Sequence, residues 1–208
     1  FYYVAGSDLD EVIAGYRHLT GKAVLFPKWA YGFWQSRQRY TNQQELVDVV
    51  KEYRARKIPL DNIVLDWFYW PEDAWGSHEF DATRFPNPKA MLDEVHRLDA
   101  NLMISVWPKF YPTTQHYQEL DAKGHIYPRN VEMGTKDWVG SGYLNSFYDP
   151  YSKEARDIYW RQVDEKLNAL GIDAWWLDAT EPDIHSNLDV EEIKRRISPT
   201  ALGPGAAF

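Results

Sequence analysis

Apolar side chains along this chain follow two alternating patterns, one with the spacing of α-helices and one of short uninterrupted runs. Apolar residues three and four positions apart, each set preceded by a helix-capping residue, predict four main helices. These helices begin near Asp8, Thr41, Asn87 and Ser152, and the first and the last end at Gly21 and Gly171. At the second helix, Thr41 and Gln44 have the spacing of a capping box.

The uninterrupted apolar runs predict four strands, which cover residues 29–34, 62–67, 102–107 and 172–178. Because apolar and polar residues do not alternate in them, both faces of these strands are expected to be buried, as in a parallel sheet. Strands that alternate with helices indicate βα units. A complete (β/α)8 barrel needs roughly 250 residues. We therefore predict an α/β fold that contains about the first four βα units of a TIM barrel.

The same patterns predict how the chain is divided. Residues 1–24 are expected to form a lead-in helix and residues 25–208 the first half of a barrel, with no separate second domain. Residues 110–150 are rich in aromatic residues and glycine, and they are expected to form a long insertion with a short helix near residues 115–123.

Composition excludes several classes of function. The 31 acidic residues outnumber the 23 basic ones, which argues against a nucleic-acid partner. No apolar run approaches the length of a membrane span, so no membrane association is expected. The chain has no cysteine, which excludes disulfides and thiolate metal sites, and no histidine pair has a metal-binding spacing. We predict neither a metal nor a cofactor, while a cytoplasmic and an exported location both remain open.

Candidate chemistry lies where the predicted strands end, the edge that carries the active site in parallel βα folds. The ends of the second, third and fourth strands read Asp66-Trp67, Trp107-Pro108-Lys109 and Asp178 followed by Glu181. A carboxylate at the end of a buried strand is held rigidly, as a nucleophile must be. Asp178 and Asp66 have simpler alternatives, however, as a helix cap or as a partner in a structural salt bridge.

The fourth strand and its loop carry a family resemblance. Trp176-Leu-Asp178-Ala-Thr-Glu181 resembles the W-x-D-x-x-E signature of glycoside hydrolase family 31. Residues 26–36, 58–67 and 80–88 resemble further segments of that family in the same order. Within the family, residues 67–70 and 106–110 are most similar to bacterial α-xylosidases.

The resemblance implies a TIM-barrel catalytic domain that needs no metal and cleaves α-glycosides with retention of configuration. It implies that Asp178 is the nucleophile and that Asp66 binds the sugar. The family's acid/base aspartate lies beyond the equivalent of Phe208, so the chain is expected to be a fragment whose partners are the rest of the barrel and an oligosaccharide. The expected substrate carries a terminal α-linked xylose, as in xyloglucan fragments. An α-glucosidase and a non-catalytic carbohydrate-binding module are the alternatives.

The remaining candidates have smaller roles. Trp67 and Trp107 offer flat apolar faces for a sugar ring. Glu181 is expected to orient the site rather than to act as a second catalytic carboxylate. Lys109 reaches either a substrate hydroxyl or a carboxylate, or it is a solvated loop lysine. Four further tryptophans are predicted to belong to the core: Trp29, Trp34, Trp160 and Trp175.

Overall fold

The computed structural model describes residues 2–134 and 136–179. The helices are α1 (Leu9–Thr20), α2 (Gln43–Ala55), α3 (Pro88–Arg97), α4 (Gln115–Asp121), α5 (Pro128–Glu132) and α6 (Lys153–Lys166). The strands are β1 (Trp34–Gln35), β2 (Asn62–Leu65), β3 (Asn101–Val106), β4 (Lys109–Phe110), β5 (Ser146–Phe147) and β6 (Ala174–Leu177). Short 3-10 turns occupy Lys28–Tyr31 and Asn168–Leu170.

The main sheet contains four parallel strands in the order β1-β2-β3-β6. The register pairs Leu65 with Ile104 and Ile104 with Trp175. The predicted parallel βα arrangement is therefore confirmed, and the strands follow one another across the sheet as they do in a TIM barrel.

The N-cap of the second helix is Asn42, one residue later than predicted. The Oδ1 atom of Asn42 accepts a hydrogen bond from the Glu45 amide at 2.9 Å. Glu45 in turn accepts one from the Thr41 amide at 2.7 Å. The prediction of Thr41 and Gln44 as the box was wrong because Asn42 is the extended residue before the helix, which sets Glu45 at the third helical position.

The first predicted strand is much shorter than the sequence pattern indicates. Residues 28–31 form a 3-10 turn instead, in which the indole of Trp34 donates to the Ala30 carbonyl at 3.0 Å. The Asp61 carboxylate accepts from the Phe33 amide at 2.9 Å and fills the space that a side chain at Gly32 would need. The apolar residues around Trp29 therefore pack as a turn, and only Trp34–Gln35 pairs with β2.

The long insertion has a small core of its own. Its short helix, α4, lies where it was predicted and is capped by the hydroxyl of Thr114. β4 and β5 pair as antiparallel strands, with Lys109 opposite Phe147. Phe110, Tyr117, Leu120 and Ile126 of the insertion pack against Ile158 and Tyr159 of α6.

The larger core lies on the sheet beneath α2 and α3 and contains Leu46, Ile63, Leu65, Leu92, Leu102 and Ile104. Among the described residues, α1 contributes no buried side chain. On α6, Trp160 is 50 % exposed, so its assignment to the core was wrong: it stands on the outer face, edge-on to Trp175. Trp29, Trp34 and Trp175 are half-buried. Within the described ranges, no helix is long and apolar enough to cross a membrane.

Leu102 provides a test of this core, because its side chain is completely buried. We expect Leu102→Ala to lower the free energy of unfolding by about 2–5 kcal/mol, through lost burial and the cavity left behind. Leu25→Ala is the matched control, since Leu25 is 89 % exposed. Its effect should stay within about 0.5 kcal/mol. Urea unfolding followed by circular dichroism measures the free energy of unfolding of both variants. Equal losses of stability would contradict the assignment of Leu102 to the core.

Candidate active site

The sheet register brings the ends of three strands to one edge. Leu65, Ile104 and Trp175 are level across β2, β3 and β6. One residue beyond β2 is Asp66, and one residue beyond β3 is Trp107. The Asp178 amide donates to the Val106 carbonyl at 3.0 Å, so Asp178 leaves β6 beside Trp107. The structure thus places the predicted residues Asp66, Trp107 and Asp178 together at the C-terminal edge of the sheet.

Asp66 is a buried carboxylate, with only 8 % of the residue exposed. Its Oδ1 atom accepts a hydrogen bond from the Trp67 amide at 2.7 Å. Burial raises the pKa of Asp66 above its usual range, and the nearby charge of Asp178 raises it further. Asp66 and Asp178 are therefore close enough to interact electrostatically, as two carboxyl groups of one site do.

Asp178 is half-buried and held by the backbone that follows it. The Ala179 amide donates to its Oδ1 atom at 2.8 Å. Ala179 has a φ of 45°, in the left-handed region that residues other than glycine rarely adopt. The amide that follows Asp178 thus holds its carboxylate at the point where β6 ends.

Tryptophans line the same edge. Trp67 stacks on Trp75 with ring centroids 6.0 Å apart, and Trp75 meets Trp107 edge-to-face at 4.9 Å. The indole of Trp107 donates to the Ser105 hydroxyl at 3.1 Å, which fixes the orientation of its ring. Trp138, from the insertion, lies 6.5 Å from Trp107.

Trp138 and Trp75 were not among the predicted site residues. Trp75 is completely buried and supports the other rings, whereas Trp138 is 53 % exposed. Only one signal in the sequence points to Trp138: an aromatic residue between Asp137 and a glycine-rich turn. Its place beside β3 depends on a contact between distant parts of the chain.

Two arginines brace the turn that follows Asp66. Phe68 has a φ of 67°, an unfavourable backbone conformation for a bulky residue. The guanidinium of Arg84 donates to the carbonyls of Phe68 and Trp70 and lies 4.8 Å from the Phe68 ring centroid. The guanidinium carbon of Arg39 lies 5.0 Å from the ring centroid of Phe68 and 5.7 Å from that of Trp67. These contacts offset the strain and hold Asp66 and Trp67 in place.

Lys109 has a side chain that is completely buried, so the alternative of a solvated loop lysine was wrong. Its Nζ atom lies 3.3 Å from Asp137 Oδ2 and 4.3 Å from the ring centroid of Trp75. Glu181 lies outside the described residues. In the part of the chain that the structure describes, no group of three or more histidine or acidic side chains has the geometry of a metal site.

The parallel sheet with its site at the C-terminal edge defines a TIM-barrel type of domain. The family model of the glycosyl hydrolases family 31 TIM-barrel domain matches residues 23–201. The chain therefore belongs to glycoside hydrolase family 31, which confirms the resemblance found in the sequence.

The similar proteins include α-xylosidases. The crystal structure of the α-xylosidase from Xanthomonas citri superposes on this chain with a TM-score of 0.92 and 62 % identity, covering 97 % of this chain and 22 % of that protein. An α-xylosidase of Saccharolobus solfataricus is 46 % identical over 88 % of this chain and 23 % of its own length. A soil-metagenome α-xylosidase crystallised with xylose matches with a TM-score of 0.77 and 34 % identity, covering 88 % of this chain and 27 % of that protein. The chain thus spans about a quarter of the length of these relatives.

The raised pKa of Asp66 predicts how its charge affects stability. Its ordinary value is 3.8, and burial makes the folded chain bind the proton more tightly than the unfolded chain does. Its contribution to stability is therefore greatest below that value and falls as the pH rises through the raised folded value. We expect the gain in stability from Asp66→Asn, relative to the parent, to be larger at pH 7 than at pH 3.5.

Urea unfolding of both proteins at the two pH values measures this difference. Asp48→Asn is the control for loss of one negative charge, because Asp48 is exposed on α2. A gain that is equal at both pH values, or larger at pH 3.5, would show that the Asp66 carboxylate is not destabilised by its site.

Proposed function

We propose that this chain is part of a retaining α-glycosidase that removes terminal α-linked xylose from xyloglucan-type oligosaccharides by double displacement. The observation that carries the proposal is the position of Asp178, at the end of β6 and beside Asp66 and Trp107. The similarity to α-xylosidases supports xylose over glucose as the sugar.

Asp178 is the nucleophile in this proposal. One carboxylate oxygen attacks C1 of the sugar, the bond to the leaving-group oxygen breaks, and that oxygen receives a proton from a second carboxyl group. A glycosyl ester on Asp178 results. Water then attacks C1, gives a proton to the second group, now a base, and releases Asp178 as a carboxylate. The hydrogen bond from Ala179 orients Asp178 for the attack.

Asp66 and the tryptophans bind the sugar in this scheme. A buried carboxylate with few protein donors gains from hydrogen bonds with sugar hydroxyls, which replace the water that it loses on burial. The half-buried rings of Trp67 and Trp107 suit the C–H side of a pyranose ring, and the partly exposed ring of Trp138 is a third platform.

The second carboxyl group is proposed to come from the rest of the barrel. β6 is the last strand of the described sheet, and its side chains are exposed on both faces, with Leu177 at 60 % and Trp176 at 37 %. A retaining enzyme needs its two carboxyl groups roughly 5 to 5.5 Å apart. We propose that the following barrel segments of a longer protein supply the acid/base. Glu181 keeps its predicted role of orienting the site.

The role of Asp178 is tested by trapping the intermediate in the full-length protein. We expect incubation with 5-fluoro-α-xylosyl fluoride, followed by peptide mass mapping, to place the sugar on Asp178. Asp178→Asn should lower kcat/KM by roughly 10⁴-fold, the scale seen when a catalytic group is removed. Asp157→Asn, on the exposed face of α6, is the control. A label on another residue would refute the assignment.

The need for a second carboxyl group is tested with the 208-residue chain alone. We expect no turnover of p-nitrophenyl α-xyloside by the pure chain, because the proposed acid/base belongs to the following barrel segments, while the full-length protein releases nitrophenol. Steady turnover by the chain would contradict the proposed division of the site. If the full-length protein binds the xyloside, as seen by tryptophan fluorescence, but never cleaves it, the protein is a carbohydrate-binding module instead.

A further inference from the structure

A buried ion pair joins the insertion to the barrel edge. The side chains of Lys109, on β4, and Asp137 are both completely buried, with Nζ and Oδ2 3.3 Å apart. Desolvating two charges is costly, and the pair is seldom the most stable way to fill such a space. The presence of this buried ion pair therefore suggests that it has a function beyond stability.

Asp137 organises the turn around it. Its Oδ1 atom accepts hydrogen bonds from the amides of Val139 and Tyr143, each at 3.1 Å. The Tyr111 hydroxyl donates to its Oδ2 atom, and burial together with Asp137 raises the pKa of Tyr111, so that this hydroxyl stays a donor. The Asp137 amide donates to the Tyr143 carbonyl at 3.0 Å. Residues 136–144, here called the Asp137 loop, are thus closed around one carboxylate.

Lys109 also touches the aromatic side chains of the site. Its Nζ atom lies 4.3 Å from the ring centroid of Trp75 and 4.4 Å from that of Trp138. An ammonium group so close to two indoles, and excluded from water, interacts strongly with both. Trp75 belongs to the buried core, whereas Trp138 is half exposed beside Trp107. Lys109 thereby contacts both the buried Trp75 and the half-exposed Trp138.

We propose that Lys109 is a positioning residue that sets the orientation of Trp138, through its ion pair with Asp137 and its contact with the Trp138 ring. The inference rests on the proposed function for its consequence, which is sugar binding. It also assigns Lys109 a different task from the predicted contact with a substrate hydroxyl, because the side chain is enclosed by protein.

The variants separate positioning from stability. Lys109→Met removes the cation and leaves Asp137 buried without its counter-charge, which should lower Tm. Adding Asp137→Asn removes the uncompensated charge of Asp137 and should restore part of the lost Tm. The test is made in the full-length protein, with KM and kcat for p-nitrophenyl α-xyloside measured beside Tm.

We expect Lys109→Met to raise KM about tenfold with a smaller change in kcat, since a platform contacts the sugar in both ground and transition states. The Lys109→Met/Asp137→Asn protein should keep the raised KM although its Tm partly recovers. In a Trp138→Ala background, Lys109→Met should add less than about twofold, because both changes act on one contact. Recovery of KM together with Tm, or a full tenfold effect without Trp138, would overturn the proposal.

A second measurement needs no sugar. Hydrogen exchange at the amides of Val139 and Tyr143 reports whether the Asp137 loop is held. Lys109→Met should speed their exchange at least about tenfold, while Lys166→Met, which removes a partly exposed ion pair with Glu79, should not. Unchanged exchange would overturn the role of Lys109 in holding the loop. If the full-length protein cleaves no α-glycoside, the proposed function fails, and this result still decides the role of Lys109.

Discussion

The in-register parallel pairing of β2, β3 and β6 is the constraint on which the rest of the site depends. Because all three strands run the same way and Leu65, Ile104 and Trp175 are level, the residues just beyond them meet at one edge. The hydrogen bond from the Asp178 amide to Val106 continues this pairing into the site itself. A slip of one residue would turn each side chain to the opposite face of the sheet.

At the C-terminal edge of the sheet, charged side chains lie among aromatic rings. This arrangement is unfavourable for folding, and under the proposed function it serves to bind the sugar. Asp66 is a desolvated carboxylate near a second one, Phe68 occupies a strained backbone conformation, and Lys109 is enclosed between two indoles. The completely buried apolar residues under α2 and α3 supply the stability that offsets these costs. The site is thus pre-organised, and under the proposed function a sugar would replace lost water there without reshaping the protein.

Local patterns in the sequence predicted the parts of the fold that depend on local interactions. Buried strands appeared as apolar runs, helix starts as capping residues, and Asp66 and Asp178 as carboxylates at strand ends. The turn at residues 28–31 was missed because Asp61, which packs against Gly32, is far away in the sequence. Trp138 and the Lys109–Asp137 pair were missed for the same reason, since an insertion has no periodicity that places it against the barrel.

A crystal structure of the full-length protein soaked with xylose tests the central claim most directly: that the C-terminal edge of this sheet is the sugar site. We expect a pyranose whose hydroxyls bind the Asp66 carboxylate, with C1 facing Asp178 and a ring face against Trp107. Xylose bound elsewhere, with this edge holding only water, would contradict it.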